Sequence, residues 1–350
     1  MRCAAMSDPS TAASAGRTPN PVPAPLLDVG GLSTELRTRK GVVHALDNVG
    51  FVVRRGEAIA IVGESGCGKS MTARSIMRVL PRSTDRVASG HVRFAGRDLL
   101  SLSESGMRKV RGADIAMIFQ DPMSYLDPLM RVGDQIAEVI RAHGKASGEG
   151  LEKAVEDALA SARISDIRRV AGSYPHQLSG GLRQRALIAM ALACEPELLI
   201  ADEPTTALDV TTQKQILQLL RHLVEERQMG LVLITHDLGV VANVCDRVYV
   251  MYAGQVIEHA GVHDFFERPQ HPYSRGLLAS LKSLCEGDAH LSSIPGVVPN
   301  LLAPPAGCRF RARCGFSMDV CAKQDPTVRL DHGKDRDAGC WLFKDGSGHV

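Results

Sequence analysis

Gly63-Glu64-Ser65-Gly66-Cys67-Gly68-Lys69-Ser70 fits the spacing G-x-x-x-x-G-K-[ST]. It follows an apolar run and precedes a stretch with helical character, the setting such a loop needs to hold phosphate. Glycines let successive backbone N–H groups curl around phosphate oxygens without Cβ clashes. A helix N-terminus behind them adds partial positive charge. Lys69 is expected to reach the outer phosphates of a nucleotide and Ser70 to ligate Mg²⁺, with Met71 beside them. A chance glycine turn is the plainer reading. The bare pattern arises by accident in roughly one chain in a hundred of this size, and the flanking strand and helix argue against it.

A nucleotide site also needs an acidic arm, and "LLIADE" at 198–203 offers one. Asp202 at a strand end is expected to hold magnesium, and Glu203 to deprotonate an attacking water. Alone, the pair would read equally well as a solvated strand end. Ser179-Gly180-Gly181 opens a second helix, "LRQRALIAMALACE". A helix N-terminus of this kind is another anion site, although Ser179 also reads as an ordinary N-cap. Two phosphate-binding helices in one chain suggest that the second serves another subunit's nucleotide. Cys308, Cys314, Cys321 and Cys340 follow C-x5-C-x6-C-x18-C. Four thiolates suit Zn²⁺ or an iron–sulfur cluster. The absence of a tight C-x2-C counts against structural zinc, and unmetallated thiols are the third option.

These residues must be positioned by elements. "ALDNVGFVVRRGEAIAIVGE" reads as two strands parted at Arg54-Arg55-Gly56, and a helix from Lys69 must end near Pro81. Leu151, Ala154, Val155, Ala158, Leu159 and Ala162 recur at helical spacing, so the stretch after 121 reads as a helical insertion. "LVLITHD" is a buried strand, and "RVYVMYAGQVIEHA" a hairpin turning at Ala253-Gly254. Strands alternating with helices imply a mainly parallel sheet. Residues 1–25, rich in Ala, Pro, Ser and Thr, are expected to be disordered, and Met6 is an alternative start. From Arg268 the chain turns Pro- and Cys-rich, which marks an appendage.

Composition narrows the class. The 350 residues are 44% hydrophobic and 23% charged, with net charge +2. The densest basic run, Arg37-Thr38-Arg39-Lys40, is too thin for a nucleic-acid face. No stretch of 18 apolar residues offers a membrane span, and no apolar leader is apparent. Nine cysteines therefore read as cytosolic and reduced. Cys67 inside the loop is expected to block phosphate when oxidised.

"LSGGLRQR" at 178–185 resembles the signature motif of ATP-binding cassette (ABC) ATPases. Gln120 in "MIFQDP" resembles the Q-loop glutamine, "ALD" at 207–209 the D-loop, and His236 in "LITHD" the switch histidine. The resemblance implies an α/β P-loop cassette with a mainly parallel core sheet, an antiparallel β subdomain, a helical subdomain at about 121–185 and a small Cys-rich C-terminal extension. The cassette would span 26–267 and the extension 268–350. It implies ATP and Mg²⁺ as ligands, with Ser70, Gln120 and Asp202 around the metal. Ser179, Gly180, Gly181, Leu182, Arg183 and Gln184 would face a partner cassette's ATP, with Asp209 communicating across the pair. His236 would steady the water. The family often stacks adenine on an early aromatic residue; residues 26–50 contain none, leaving Leu36 or Val43.

"QDPMSYLDPLMRVGDQI", "YPHQLSGGLRQR" and "RPQHPYSRGLLASL" with "IPGVVPNLLAPPAGCRFRARC" narrow the resemblance to ATPase subunits of oligopeptide, dipeptide and nickel importers. This implies ATP hydrolysis coupled to peptide import, with nickel or another small solute as the alternative. A soluble ABC ATPase of DNA repair or translation, or a non-hydrolysing regulatory subunit, is less well matched. Implied partners are a second cassette, related or identical, two transmembrane permeases and, indirectly, an extracytoplasmic binding protein; no nucleic acid is implied. The chain would lie on the cytoplasmic side of the inner membrane. Some members carry a [4Fe–4S] cluster on such a tail, with Arg309, Arg311 and Arg313 offsetting its charge.

Overall fold

A computed structural model of the chain describes residues 24–80, 85–206, 208–286, 294–326 and 336–343. The expected N-terminal extension, Cys3, Ala207 and the side chain of Cys285 lie outside them. The strands are β1 (Leu27–Thr38), β2 (Gly41–Val53), β3 (Ala58–Val62), β4 (Asp85–Phe94), β5 (Arg97–Asp98), β6 (Ile115–Ile118), β7 (Leu198–Asp202), β8 (Gly230–Ile234), β9 (Arg247–Tyr252), β10 (Gln255–Gly261) and β11 (Asp337–Ala338). Helices α1 (Lys69–Met77) and α2 (Glu104–Val110) precede β6. Helices α3 (Pro122–Tyr125), α4 (Val132–Ala142), α5 (Glu149–Ser161), α6 (Ile167–Gly172) and α7 (Gly180–Leu192) lie between β6 and β7. Helices α8 (Val210–Arg227), α9 (Leu238–Val244), α10 (Val262–Glu267), α11 (Pro272–Glu286) and α12 (Asp319–Lys323) follow.

Two sheets form. One is antiparallel, in the order β2-β1-β4-β5; the other runs β11-β10-β9-β3-β8-β7-β6. In the second, β9, β3, β8, β7 and β6 are mutually parallel, while β10 and β11 add antiparallel edges. The parallel strands are short apolar runs because both faces are covered. Side chains alternate across them. Ala58, Ala60 and Val62 enter one core with α4, α5, α7 and α8. Ile59 and Ile61 enter the other, against Phe51, Val92 and Phe94 of the antiparallel sheet and Ile76 of α1.

Local chemistry sets the boundaries. Helix α1 stops at Arg78, whose left-handed backbone (φ 50) ends it ahead of Pro81. The β9–β10 hairpin turns on Ala253 and Gly254, both at positive φ (48 and 84), as a two-residue turn requires. In α5, Val155, Ala158 and Leu159 are buried and Ala162 follows them, while Leu151 and Ala154 pack at the edge of the same core. The described residues after 268 pack on the cassette: β11 adds to the edge of β10, pairing Ala338 with Glu258, and Tyr273 and Phe310 enter the helix-side core.

Candidate active site

Parallel strands end together, so whatever follows each of them gathers along one rim. After β3 comes Gly63–Ser70; after β8, His236; β7 ends at Asp202 and is followed by Glu203; after β6 comes Gln120. Four separate sequence segments thereby meet.

The glycine loop is shaped by contact as well as by freedom. A Cβ on Gly63 (φ 151) would lie 2.2 Å from Met251 O. On Gly68 (φ 109) it would lie 3.1 Å from Ala45 O. Gly254 N donates to Cys67 O at 2.8 Å, tying the β9–β10 turn to the loop. Lys69 Nζ donates to Gly63 O at 2.8 Å and Glu64 O at 2.9 Å, and is buried. Ser70 Oγ donates to Asp202 Oδ1 at 3.0 Å. Burial raises the Asp202 carboxyl above its ordinary pKa, the Ser70 hydrogen bond partly offsets this, and the Glu203 charge adds to the rise. A hydroxyl beside a carboxylate is the hard-oxygen donor set that Mg²⁺ takes alongside phosphate.

Glu203 is gripped from three sides. His236 Nδ1 lies 3.0 Å from Oε1; Gln120 Nε2 and Thr206 Oγ1 donate to Oε2 at 2.8 and 3.0 Å. Burial alone would raise its pKa; the hydrogen bonds from His236 and Thr206, with the His236 and Lys69 charges, outweigh that and hold it below the usual value. The carboxylate is therefore an acceptor and His236 Nδ1 carries the shared proton. Gln120, expected at the metal, donates through Nε2 to Glu203; a metal would be met by its other amide atom, Oε1. Thr206 was not anticipated, although its place three residues after Glu203 is a signal for it.

Ser179 caps α7, its Oγ accepting from Leu182 N at 3.4 Å, and Ser179 and Gly180 are exposed. Leu182 is partly buried against the core and Gln184 is 3% exposed, so the Gln184 side chain anchors the helix. Gly181 sits over α8, where a Cβ would lie 2.7 Å from Thr212 Cγ2. Asp209 caps α8 through Thr212 N at 2.9 Å.

Cys67 is 1% exposed. Burial pushes its thiol up despite nearby Lys69, so the thiol is shielded. Cys308, Cys314, Cys321 and Cys340 do line one narrow pocket, with Phe316 and Trp341. All four are free thiols, and burial foremost pushes Cys308 up to about 12 and Cys340 to about 11. Yet among the described residues no group of three or more His, Cys, Asp or Glu is spaced to hold a metal ion. A zinc site does not fit, and the expected cluster gains no support from this spacing. Of the arginines, Arg311 lines that pocket and donates to Ala322 O, while Arg309 donates to Ala253 O and Asp47 Oδ2 and Arg313 to Glu64.

Among the described residues no helix is long and apolar enough to cross a membrane. The chain matches the family described as ABC transporter over residues 46–206 and that described as oligopeptide/dipeptide transporter, C-terminal region, over 257–321. It is 53% identical to a probable peptide ABC transporter ATP-binding protein of Sinorhizobium fredii, covering 92% of this chain and 96% of that protein. It is 49% identical to the dipeptide transport ATP-binding protein DppD of Bacillus subtilis (91% and 94% covered). With the oligopeptide transport ATP-binding protein OppD of the same organism it shares 48% (87% and 85% covered). Among solved structures it resembles the dimeric, post-hydrolysis ATP-binding cassette MJ0796 bound to ADP and Pi, with TM-score 0.61 and 30% identity over 67% of this chain and 98% of that one.

Proposed function

The chain belongs to the ATP-binding proteins of the ABC transporter family, and on that premise we propose that it is the ATP-hydrolysing subunit that powers an importer of peptides or dipeptides. The observation that carries the reading is the meeting of Gly63–Ser70, Asp202, Glu203 and His236 at one rim, in a chain whose relatives are named for peptide transport over nearly its full length.

ATP would enter with its phosphates against the loop, Lys69 countering their charge. Ser70 and Asp202 would hold Mg²⁺, which neutralises phosphate charge. Glu203, kept anionic by its three donors, takes the proton from the attacking water as that water's oxygen bonds to the γ-phosphorus; the bond to the ADP oxygen breaks, giving ADP and phosphate. To reach a water, the carboxylate must loosen one of those donors. His236 is placed to keep the water and γ-phosphate in register with it. A second cassette, identical or related, would close over the phosphates with its own Ser179-Gly180 equivalent, the two exposed residues heading α7. The helices between Gln120 and Ser179 would meet two membrane subunits at the cytoplasmic face, making the chain peripheral to the membrane. A reconstituted complex should hydrolyse ATP faster when peptide is presented; turnover indifferent to peptide would sink the substrate assignment.

The four-thiol pocket is proposed as the seat of a [4Fe–4S] group on Cys308, Cys314, Cys321 and Cys340. Its support is that all four thiols line a single pocket.

A further inference from the structure

The second residue of the phosphate loop is held by residues some 200 positions away. Arg313 donates from Nη1 to Glu64 Oε2 at 2.7 Å and from Nη2 to Glu64 Oε1 at 3.0 Å, a two-pronged grip on the carboxylate. Its remaining donors are also placed. Nε reaches Pro295 O at 2.9 Å, Nη2 reaches Ile294 O at 2.9 Å, and Nη1 reaches Tyr252 OH at 3.4 Å. All five N–H groups of the guanidinium are thus used. The Arg313 side chain is 5% exposed and that of Glu64 28%. Independently, Glu64 N donates to Tyr273 OH at 2.8 Å. Tyr273 and Phe310 close the enclosure with Tyr252, their ring centroids 4.8 to 5.4 Å apart. Glu64 is therefore held by side chain and by backbone, both times from the segment after residue 268.

The loop has reason to need this. Glu64 sits between Gly63, which follows β3, and Lys69, whose ammonium donates to Glu64 O. An unneutralised carboxylate at that point would stand beside incoming phosphates. The structure assigns Arg313, with Tyr273, the role of positioning residue for the phosphate loop: it neutralises Glu64 and fixes its orientation, so that nucleotide affinity depends on the C-terminal segment. This rests on reading Gly63–Ser70 as the ATP site.

The test is MgATP affinity of the full-length chain by calorimetry, on R313A, R313K, E64Q and R313A/E64Q. R313A should weaken MgATP binding about five- to tenfold, because Glu64 is left charged and unpaired. On the E64Q background, where no carboxylate remains, the same change should cost less than about twofold. R313K keeps the charge without the fork and should fall between wild type and R313A. An equal loss from R313A on both backgrounds would make Arg313 a mere scaffold residue and overturn the assignment, as would wild-type affinity in R313A. Should R313A not fold, R313Q, which removes the charge but keeps a polar side chain, is measured on the two Glu64 backgrounds in its place and should show the same difference. A wild-type chain that binds no MgATP overturns the site itself, and this inference with it; binding by wild type separates the two failures.

Discussion

Glu203 stands in the left-handed region (φ 47) directly after β7. For a residue with a Cβ this costs about 1–2 kcal/mol, so its surroundings must hold it there. They do so through its own N–H, donated to Ile234 O at 2.9 Å, and through His236, Gln120 and Thr206. The strain points the carboxylate along the rim instead of back into the sheet. Glu203→Gln keeps the shape and removes the base. It should bind MgATP within about twofold of wild type while single-turnover hydrolysis drops about 10²- to 10⁴-fold; a variant that still turns over normally would leave the attacking water without its assigned base. Much at this scale is legible in the chain itself. Lys69 and Ser70 head α1 behind a glycine spacing that announces them, and Asp202 and Glu203 sit at the end of β7, which its apolar run announces. Gln120's contact with Glu203 is not, because 83 residues separate them and only the register of β6 beside β7 brings them together.

At the level of elements, the short runs "AIAIV", "LLIAD" and "LVLI" are the parallel strands β3, β7 and β8, since a strand covered on both faces must be apolar throughout, whereas "ALDNVGFVV" is the end of β2 in the antiparallel sheet. The pairing within the antiparallel sheet is harder to foresee: β1 and β4 pair across 49 to 67 residues, with register shifts along β1. The start of α11 carries a pH signature. His271 is 1% exposed, its Nδ1 accepts from Tyr273 N at 3.0 Å, and burial holds its pKa down at about 3. Unfolded, it would titrate near 6.5. Below that value the unfolded chain gains a proton that the folded chain refuses, so this histidine's contribution to stability is full above about 6.5 and declines as pH falls toward 3, by up to about 1.4 kcal/mol per pH unit. Glu258, which accepts from His271 N, acts with the opposite sign because burial raises its pKa. Denaturant unfolding of His271→Asn beside wild type isolates the histidine's share. The variant should lose less stability than wild type between pH 6.5 and 4, and identical slopes would show that His271 becomes charged without unfolding.

Across the whole molecule, the Cys-rich tail is the part least readable from sequence. Its change in composition marks an appendage, yet Arg309 grips Asp47 in β2, Arg313 grips the phosphate loop and β11 extends the main sheet. Composition reports what a segment is made of, not which distant partner it meets. Iron, sulfide and zinc analysis of chain purified without oxygen decides the thiol pocket. About four irons per chain is the result the proposed cluster requires; zinc would mean thiolates closed on a single ion, and no metal would leave four protonated thiols in a structural fold. The span between Glu64 and Arg313 also sets an order in time. The loop emerges from the ribosome 249 residues before the arginine that steadies it. At about 5–20 residues per second that gap is roughly 12–50 s. During it the nascent chain carries a finished glycine loop with an unpaired carboxylate, and the β11 edge of the sheet is still to come. The share of nucleotide affinity assigned to Arg313, about five- to tenfold, would thus be conferred only late in synthesis.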